Sequence, residues 1–266
     1  MSNVFITGSG SGLGKEAAIA LARRGHCVYA SVHYEDEIES MQKIATEEKL
    51  DLHIFKLDIL KPEDRNMILN YDIDAFICNA AIGDSGSVID IPINRIENVF
   101  KTNIFANLQT IQLALKNMIS RKNGRIIIVS SLVGRIPFPF LSPYCASKFA
   151  LEGFGICLKN ELKLLNKLSG TNISVSLIEP GAYATGFNKE NIEKKYEWMQ
   201  SKSYFAPYSE FIRKNETKIW NFLEQKPYDS IIRKYIHAVE DTCPHFRYTA
   251  PWWQAFGVQL GRIFGM

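Results

Sequence analysis

No stretch of the chain approaches about 18 uninterrupted apolar residues, so its sequence predicts no membrane-spanning helix. Met1 runs almost directly into Val4-Phe5-Ile6-Thr7, without the basic, long-apolar, small-residue order of a secretory leader. Cysteine is sparse. Cys27, Cys78, Cys145, Cys157 and Cys243 are odd in number and lack CxxC or other ligand spacing, so free thiols in a reducing compartment, the cytoplasm, are expected. His26, His33, His53, His237 and His245 form no HExxH pair, and no metal site is expected. The basic excess is slight, 31 Lys and Arg against 28 Asp and Glu, and no dense cationic run occurs. Nucleic acid is therefore not an expected partner, because phosphate-driven binding concentrates its cations. No repeat, low-complexity tract or Gly/Ser linker divides the 266 residues, which predicts one domain over 1–266 around a single core.

Short β-branched runs alternate with longer stretches of helical period, the pattern of βαβ units and a parallel sheet. Strands are predicted at 3–7, 27–32, 53–57, 75–78, 125–130, 173–178 and 246–249. Leu13, Ala17, Ala20 and Arg24 mark a first helix stopped at Gly25. Ile104, Leu108, Ile111, Leu115 and Met118 repeat at helical spacing, as do Leu151, Phe154, Leu158, Leu162 and Leu165. The expected architecture is α/β: a single doubly wound Rossmann-type domain with a parallel sheet of about seven strands flanked by helices. Residues 187–228 break the pattern with ten aromatics among many Lys and Glu, which suggests a substrate lid.

Gly8, Gly10, Gly12 and Gly14 stand between the first strand and the first helix. Such a loop lets backbone N–H groups and a helix N-terminus approach a pyrophosphate that side chains would exclude. The second strand ends Ala30-Ser31-Val32-His33, with acids only later, at Glu35 and Asp36. A carboxylate at that end serves the ribose 2′-hydroxyl of NAD, so its absence points to NADP(H) over NAD(H). His33 is either a phosphate partner or an ordinary surface histidine.

Tyr144 and Lys148 are four apart and share one helix face, where an ammonium would draw the phenol's pKa down toward working pH. YxxxK alone carries little information, but this pair opens a long amphipathic helix just after a strand ending Ser130-Ser131. Ser131 lies at the carboxyl edge of the sheet, where open α/β folds bind ligands. Asn103 stands inside a helical stretch despite modest helix propensity, which suggests a side chain bonded to backbone or water.

Taken together, Thr7-Gly8-x-x-x-Gly12-x-Gly14 and the series Asn103, Ser131, Tyr144, Lys148 resemble the cofactor motif and catalytic tetrad of the short-chain dehydrogenase/reductase family. The resemblance runs from Val4 to about Thr185. Asp58 in Leu57-Asp58-Ile59 looks like the acid that bonds adenine, Asn79-Ala80-Ala81 resembles the NAG stretch, and Pro180-Gly181 with Thr185 is similar to PGxxxT. Three positions depart: Ala81 stands for the glycine of NAG, Cys78 for the asparagine before it, and Ser11 stands where many NADP-preferring members have Arg or Lys, which removes one common support for NADP.

The resemblance implies an NAD(P)-dependent oxidoreductase. Tyr144 is then the acid–base, Lys148 holds the nicotinamide ribose and tunes the phenol, Ser131 orients the substrate oxygen, and Asn103 keeps a water in a proton relay. The implied cofactor set is Thr7, Gly8, Ser9, Ser11, Gly12, Leu13, His33, Asp58, Ile59, Asn79, Ala80, Tyr144, Lys148, Pro180, Gly181 and Thr185, with Ser131 and Tyr144 on the substrate. It also implies a homodimer or homotetramer built through the helices near 102–120 and 144–166. The aromatic lid suggests a bulky apolar ketone or aldehyde, steroid-, retinoid- or aromatic-carbonyl-like, although the rings equally suit anchoring the lid. The alternative is a non-catalytic dinucleotide-sensing regulator on the same fold. The C-terminal segment 250–266 is expected to pack as a terminal helix, since two interior glycines and one cation suit a membrane surface poorly.

Overall fold

Seven parallel strands form one sheet in the order β3-β2-β1-β4-β5-β6-β7 in the computed structural model, which describes residues 1–265. They are β1 Asn3–Ile6, β2 Cys27–Val32, β3 Leu52–Lys56, β4 Ala75–Cys78, β5 Asn123–Val129, β6 Asn172–Pro180 and β7 Arg247–Ala250. The main helices are α1 Gly12–Arg23, α2 Asp36–Glu47, α3 Pro62–Asn66, α4 Ile93–Phe100, α5 Asn107–Arg121, α6 Ser142–Ser169, α7 Phe187–Lys202, α8 Ser209–Leu223, α9 Asp229–Glu240 and α10 Trp252–Ile263. The sheet is sandwiched. One apolar cluster joins Val4 and Ile6 to Ala17 and Leu21 of α1 and Tyr235 of α9; the other joins Phe5 and Phe76 to Ile111 and Met118 of α5 and Leu151 of α6. Successive side chains of a strand face opposite layers, which is why Val4 and Phe5 fall into different clusters.

All seven predicted strands are present. β6 runs two residues further than its apolar pattern because Glu179 and Pro180 continue the ladder against Thr249 and Ala250 of β7. Strand order reverses where β4 pairs with β1 rather than with β3. A crevice opens at such a reversal, at the carboxyl ends of the strands, and the chain's motifs collect there. The stretch Lys101–Ala106 is a π-helical turn ahead of α5. Asn103 sits within it, so the poor helix former marks a real irregularity, of a kind that recurs at functional sites.

A buried charge cluster locks the far end of the sheet. Arg247 on β7 bonds Glu152 of α6 and Glu179 of β6, and Arg135 reaches Glu179 at 3.2 Å. Glu179 is fully buried and Glu152 nearly so. Residues 187–228 fold as α7, a short turn and α8, braced by Lys195 on Glu216 and by Tyr196 Oη donating to Glu216 at 2.7 Å. Of the C-terminal segment 250–266, α10 packs Gln254 and Gly261 inward; Met266 lies outside the described residues.

Candidate active site

A cavity of about 1060 Å³ occupies the crevice. That exceeds what one small molecule usually fills and suits a dinucleotide with a second ligand. Its floor at one end is the loop from Gly8 to Gly14. Ser11 is extended and offers no side-chain cap to α1, so the leading N–H groups of this helix are left for a ligand. Gly14 serves packing instead, since a Cβ there would collide with Gly8 O and stand 2.5 Å from Asn79 Nδ2. Close seating of α1 on the loop therefore requires glycine.

Of the expected cofactor residues, Gly8, Ser11, Gly12, Leu13, His33, Asp58, Ile59, Asn79, Ala80, Tyr144, Lys148, Pro180, Gly181 and Thr185 line the cavity. Thr7 and Ser9 do not. Thr7 is buried, and its Oγ1 accepts from the N–H groups of Asn79 and Ala80 at 3.0 and 3.1 Å, tying β1 to β4. Ser9 turns inward, its N–H donating to Ser31 O at 2.8 Å and its hydroxyl to Ile6 O at 3.2 Å. With both polar groups used inside the protein, Ser9 fastens the loop.

Ser131, Tyr144 and Lys148 converge on the cavity from the end of β5 and the first turns of α6. Lys148 Nζ is 5.4 Å from the Tyr144 ring centroid and donates to Val129 O at 2.8 Å. Ser131 Oγ donates to Pro180 O at 3.1 Å and accepts from Val133 N at 3.3 Å. Burial pushes the Tyr144 phenol above its ordinary value, aided by the neighbouring Cys145 thiol and opposed by the Ser131 hydroxyl. This corrects the expectation that Lys148 draws the phenol down: in the chain by itself desolvation dominates. Burial also pushes Lys148 down to about 8, while Cys78 and Glu152 oppose that shift.

Asn103 is fully buried and does not face the cavity. Its amide donates to Ile82 O at 2.9 Å and to Ser147 Oγ at 3.0 Å, and its Oδ1 accepts from Ile82 N at 2.9 Å. Ser147 Oγ in turn donates to Tyr144 O at 2.8 Å. The side chain thus clamps the loop after β4 to the turn that carries Tyr144, with both of its N–H donors engaged. Asn103→Ala should unpair both backbone groups of Ile82 and cost about 2–4 kcal/mol, read as a lower midpoint in urea unfolding.

The aromatic segment divides. Phe187 and Trp220 line the cavity, with the Phe187 ring 5.4 Å from that of Tyr144. Tyr196 and Trp198 are buried anchors, the latter packed with Ile91 and Phe140, whereas Tyr204, Tyr208, Phe211 and Phe222 are exposed. Pocket and anchor therefore fall to different rings of one segment. Residues with no motif complete the walls: Leu132, Phe138, Leu223, Tyr235, Trp253 and Val258. Tyr235 Oη donates to Asn79 Oδ1 at 3.2 Å, and Gln254 joins Ala182 N to Leu223 O at 2.8 and 2.7 Å. Away from the crevice, at the amino ends of β2 and β3, ligand-type atoms of Cys27, Asp51 and His53 lie within 4.8 Å of one another.

Comparison with known proteins agrees with this geometry. The family model described as short chain dehydrogenase matches residues 2–196. A probable short-chain type dehydrogenase/reductase, VdlC of Helicobacter pylori, is 34% identical over 71% of this chain and 69% of its own. Retinol dehydrogenase 8 of Bos taurus is 32% identical over 72% of this chain and 62% of its own, so the chain spans under two thirds of that relative. A short chain dehydrogenase/reductase from Burkholderia phymatum, solved in complex with NAD, superposes with a TM-score of 0.81 at 16% identity, covering 98% of this chain and 93% of the other. A Rossmann-type sheet, a glycine loop at its strand-order reversal and a matched sequence over most of its length place the chain in the short-chain dehydrogenase/reductase family of oxidoreductases.

Proposed function

We propose that the protein interconverts a bulky apolar ketone or aldehyde and its alcohol with a nicotinamide dinucleotide. The observation that carries the reading is one continuous cavity lined by the glycine loop, by Ser131 and Tyr144, and by Phe138, Phe187, Trp220, Leu223 and Trp253. Apolar walls with few polar groups select a hydrophobic ligand and fix its one reactive oxygen. The similarity to retinol dehydrogenase 8 supports a substrate of that size.

The dinucleotide, when bound, would supply or accept the hydride; Gly8, Ser11, Gly12, Leu13, Asp58, Asn79, Pro180, Gly181 and Thr185 would hold it. Tyr144 gives its phenolic proton to the carbonyl oxygen in reduction and takes the hydroxyl proton in oxidation. Ser131 turns its hydroxyl from Pro180 O to the substrate oxygen. Lys148, which here donates to Val129 O, would hold the ribose and supply positive charge beside the phenol. Asn103 positions Tyr144 through Ser147, and its backbone carbonyl, which accepts from Asn107 Nδ2 at 3.1 Å, keeps a second lone pair for a relay water. The reading includes α7 and α8 as a lid and assembly as a homodimer or homotetramer through α5 and α6, whose Phe149, Phe154 and Leu164 are exposed.

A panel of steroid, retinoid, aromatic and short aliphatic carbonyl compounds, each assayed with NADH and NADPH, tests the proposal. Bulky compounds should be turned over with the lower KM. Trp220→Ala should raise that KM roughly tenfold or more and leave a small aldehyde unaffected. Equal effects on both sizes would remove Trp220 from the substrate wall.

A further inference from the structure

The end of β2 holds an acid after all. The chain leaves the strand at Val32, turns into α2 at Asp36, and brings the Glu37 side chain back over the turn. Glu37 Oε2 accepts from the backbone N–H groups of His33 at 3.1 Å and Tyr34 at 3.0 Å. Its carboxylate lies against the Cα of Gly10, in the space a Cβ there would occupy. Gly10 is thus what lets a side chain from α2 reach the dinucleotide loop. Glu37, Gly10, Gly12, His33, Tyr34 and Asp58 line one end of the cavity together.

Two successive N–H groups pointing the same way make an anion site, and here the chain fills it with its own carboxylate. The lysines in the cavity lining, Lys101, Lys148 and Lys194, come from segments after β4, and none comes from the glycine loop, β2 or α2. The nearby cations are engaged elsewhere: Lys15 Nζ donates to Ser40 Oγ at 3.3 Å, and Lys56 pairs with Glu35 at 3.0 Å. A ribose hydroxyl arriving here meets an oriented acceptor. A 2′-phosphate meets a like charge and finds its N–H partners taken.

We propose that Glu37 is the residue that selects the dinucleotide, accepting from the ribose hydroxyl of NAD(H) and excluding the 2′-phosphate of NADP(H). This reverses the preference expected from Val32 and His33, and it rests on the reading of the cavity as a dinucleotide site. His33 then contributes its backbone N–H to holding Glu37, and its ring, 4.5 Å from that of Tyr34, stands at the cavity edge.

Equilibrium titration with NADH and with NADPH, in the absence of any carbonyl compound, separates the outcomes, and quenching of Trp220 and Trp253 or calorimetry reports binding. The full-length protein should bind NADH roughly ten- to a hundredfold more tightly than NADPH. Glu37→Gln, which keeps the shape and removes the charge, and Glu37→Ala, which empties the anion site, should each tighten NADPH and weaken NADH, closing most of that gap. A misfolded variant cannot gain NADPH affinity, so the gain is specific. Equal or tighter NADPH binding by the unaltered protein overturns the inference, as does an unchanged ratio in both variants; the function proposed above survives either result. If neither dinucleotide binds the unaltered protein, the reading of the cavity fails and this inference with it.

Discussion

Tyr144→Phe is expected to lower turnover by about 10³-fold while changing the dinucleotide Kd by less than about threefold. The substitution removes one oxygen from a ring that stays packed against Phe187, so walls and loop are preserved. The pH behaviour gives a second signature. Burial holds the phenol above its ordinary value, so at neutral pH Tyr144 carries its proton and is ready to donate it. Carbonyl reduction should therefore be insensitive to pH below about 8. Alcohol oxidation needs the phenolate, whose fraction rises about tenfold per pH unit below the pKa, and its rate should climb accordingly. Lys148, pushed down to about 8, is charged below that pH and loses its proton above it. Reduction should then fall as pH rises through about 8. Stopped-flow measurement of both directions from pH 6 to 10 checks this; a Phe variant with near-normal rate, or a flat oxidation profile, would remove Tyr144 as the proton carrier.

Arg247→Met should be the most damaging single change to stability outside the cavity. Its guanidinium bridges Glu152 Oε2 and Glu179, and the buried Glu152 Oε1 has no hydrogen-bond partner among the described residues. Without Arg247, Glu179 keeps only Arg135 at 3.2 Å and Glu152 keeps nothing. Breaking a buried ion pair in this way costs about 3–5 kcal/mol, or roughly 10 °C in Tm for a chain of this size. The effect has a sign in pH. Burial, reinforced by Glu152, already raises the Glu179 carboxyl above its ordinary value, so the folded state holds its proton more tightly than the unfolded one. Stability then declines as pH rises from the ordinary carboxylate value through the raised one. Losing Arg247 widens that window, so the variant's deficit should be small near pH 5 and large near pH 8, by scanning fluorimetry at both. A second change, Glu152→Gln in the same chain, should recover part of the loss at pH 8.

The legible motifs are those written in a few adjacent residues. Gly8 to Gly14 encode a backbone path, Tyr144 and Lys148 one helix face, and the β-branched runs a strand period, and each appears where its pattern predicts. The misreadings share one cause. Ser9 belongs to a cofactor motif, yet its direction depends on Ile6 and Ser31 lying beside it. Asn103 is a recognisable tetrad position, yet its partners Ile82 and Ser147 are 21 and 44 residues away. Glu37 escapes any reading of the strand end that stops at Asp36. A glycine at position 10 facing an acid on the next helix becomes a signal only once α2 is known to fold back.

By itself, then, the amino-acid sequence determined the kind of sheet and the loop and singled out Tyr144 and Lys148 as the groups proposed to react, because periodicity, backbone freedom and i,i+4 spacing act over a few residues. Only the tertiary structure decided which aromatic rings line the cavity and which anchor the 187–228 segment, that Asn103 clamps the Tyr144 turn, and that a carboxylate from α2 stands at the end of β2. Those outcomes depend on distances between remote segments, and such distances follow from the packing of the whole chain around one sheet.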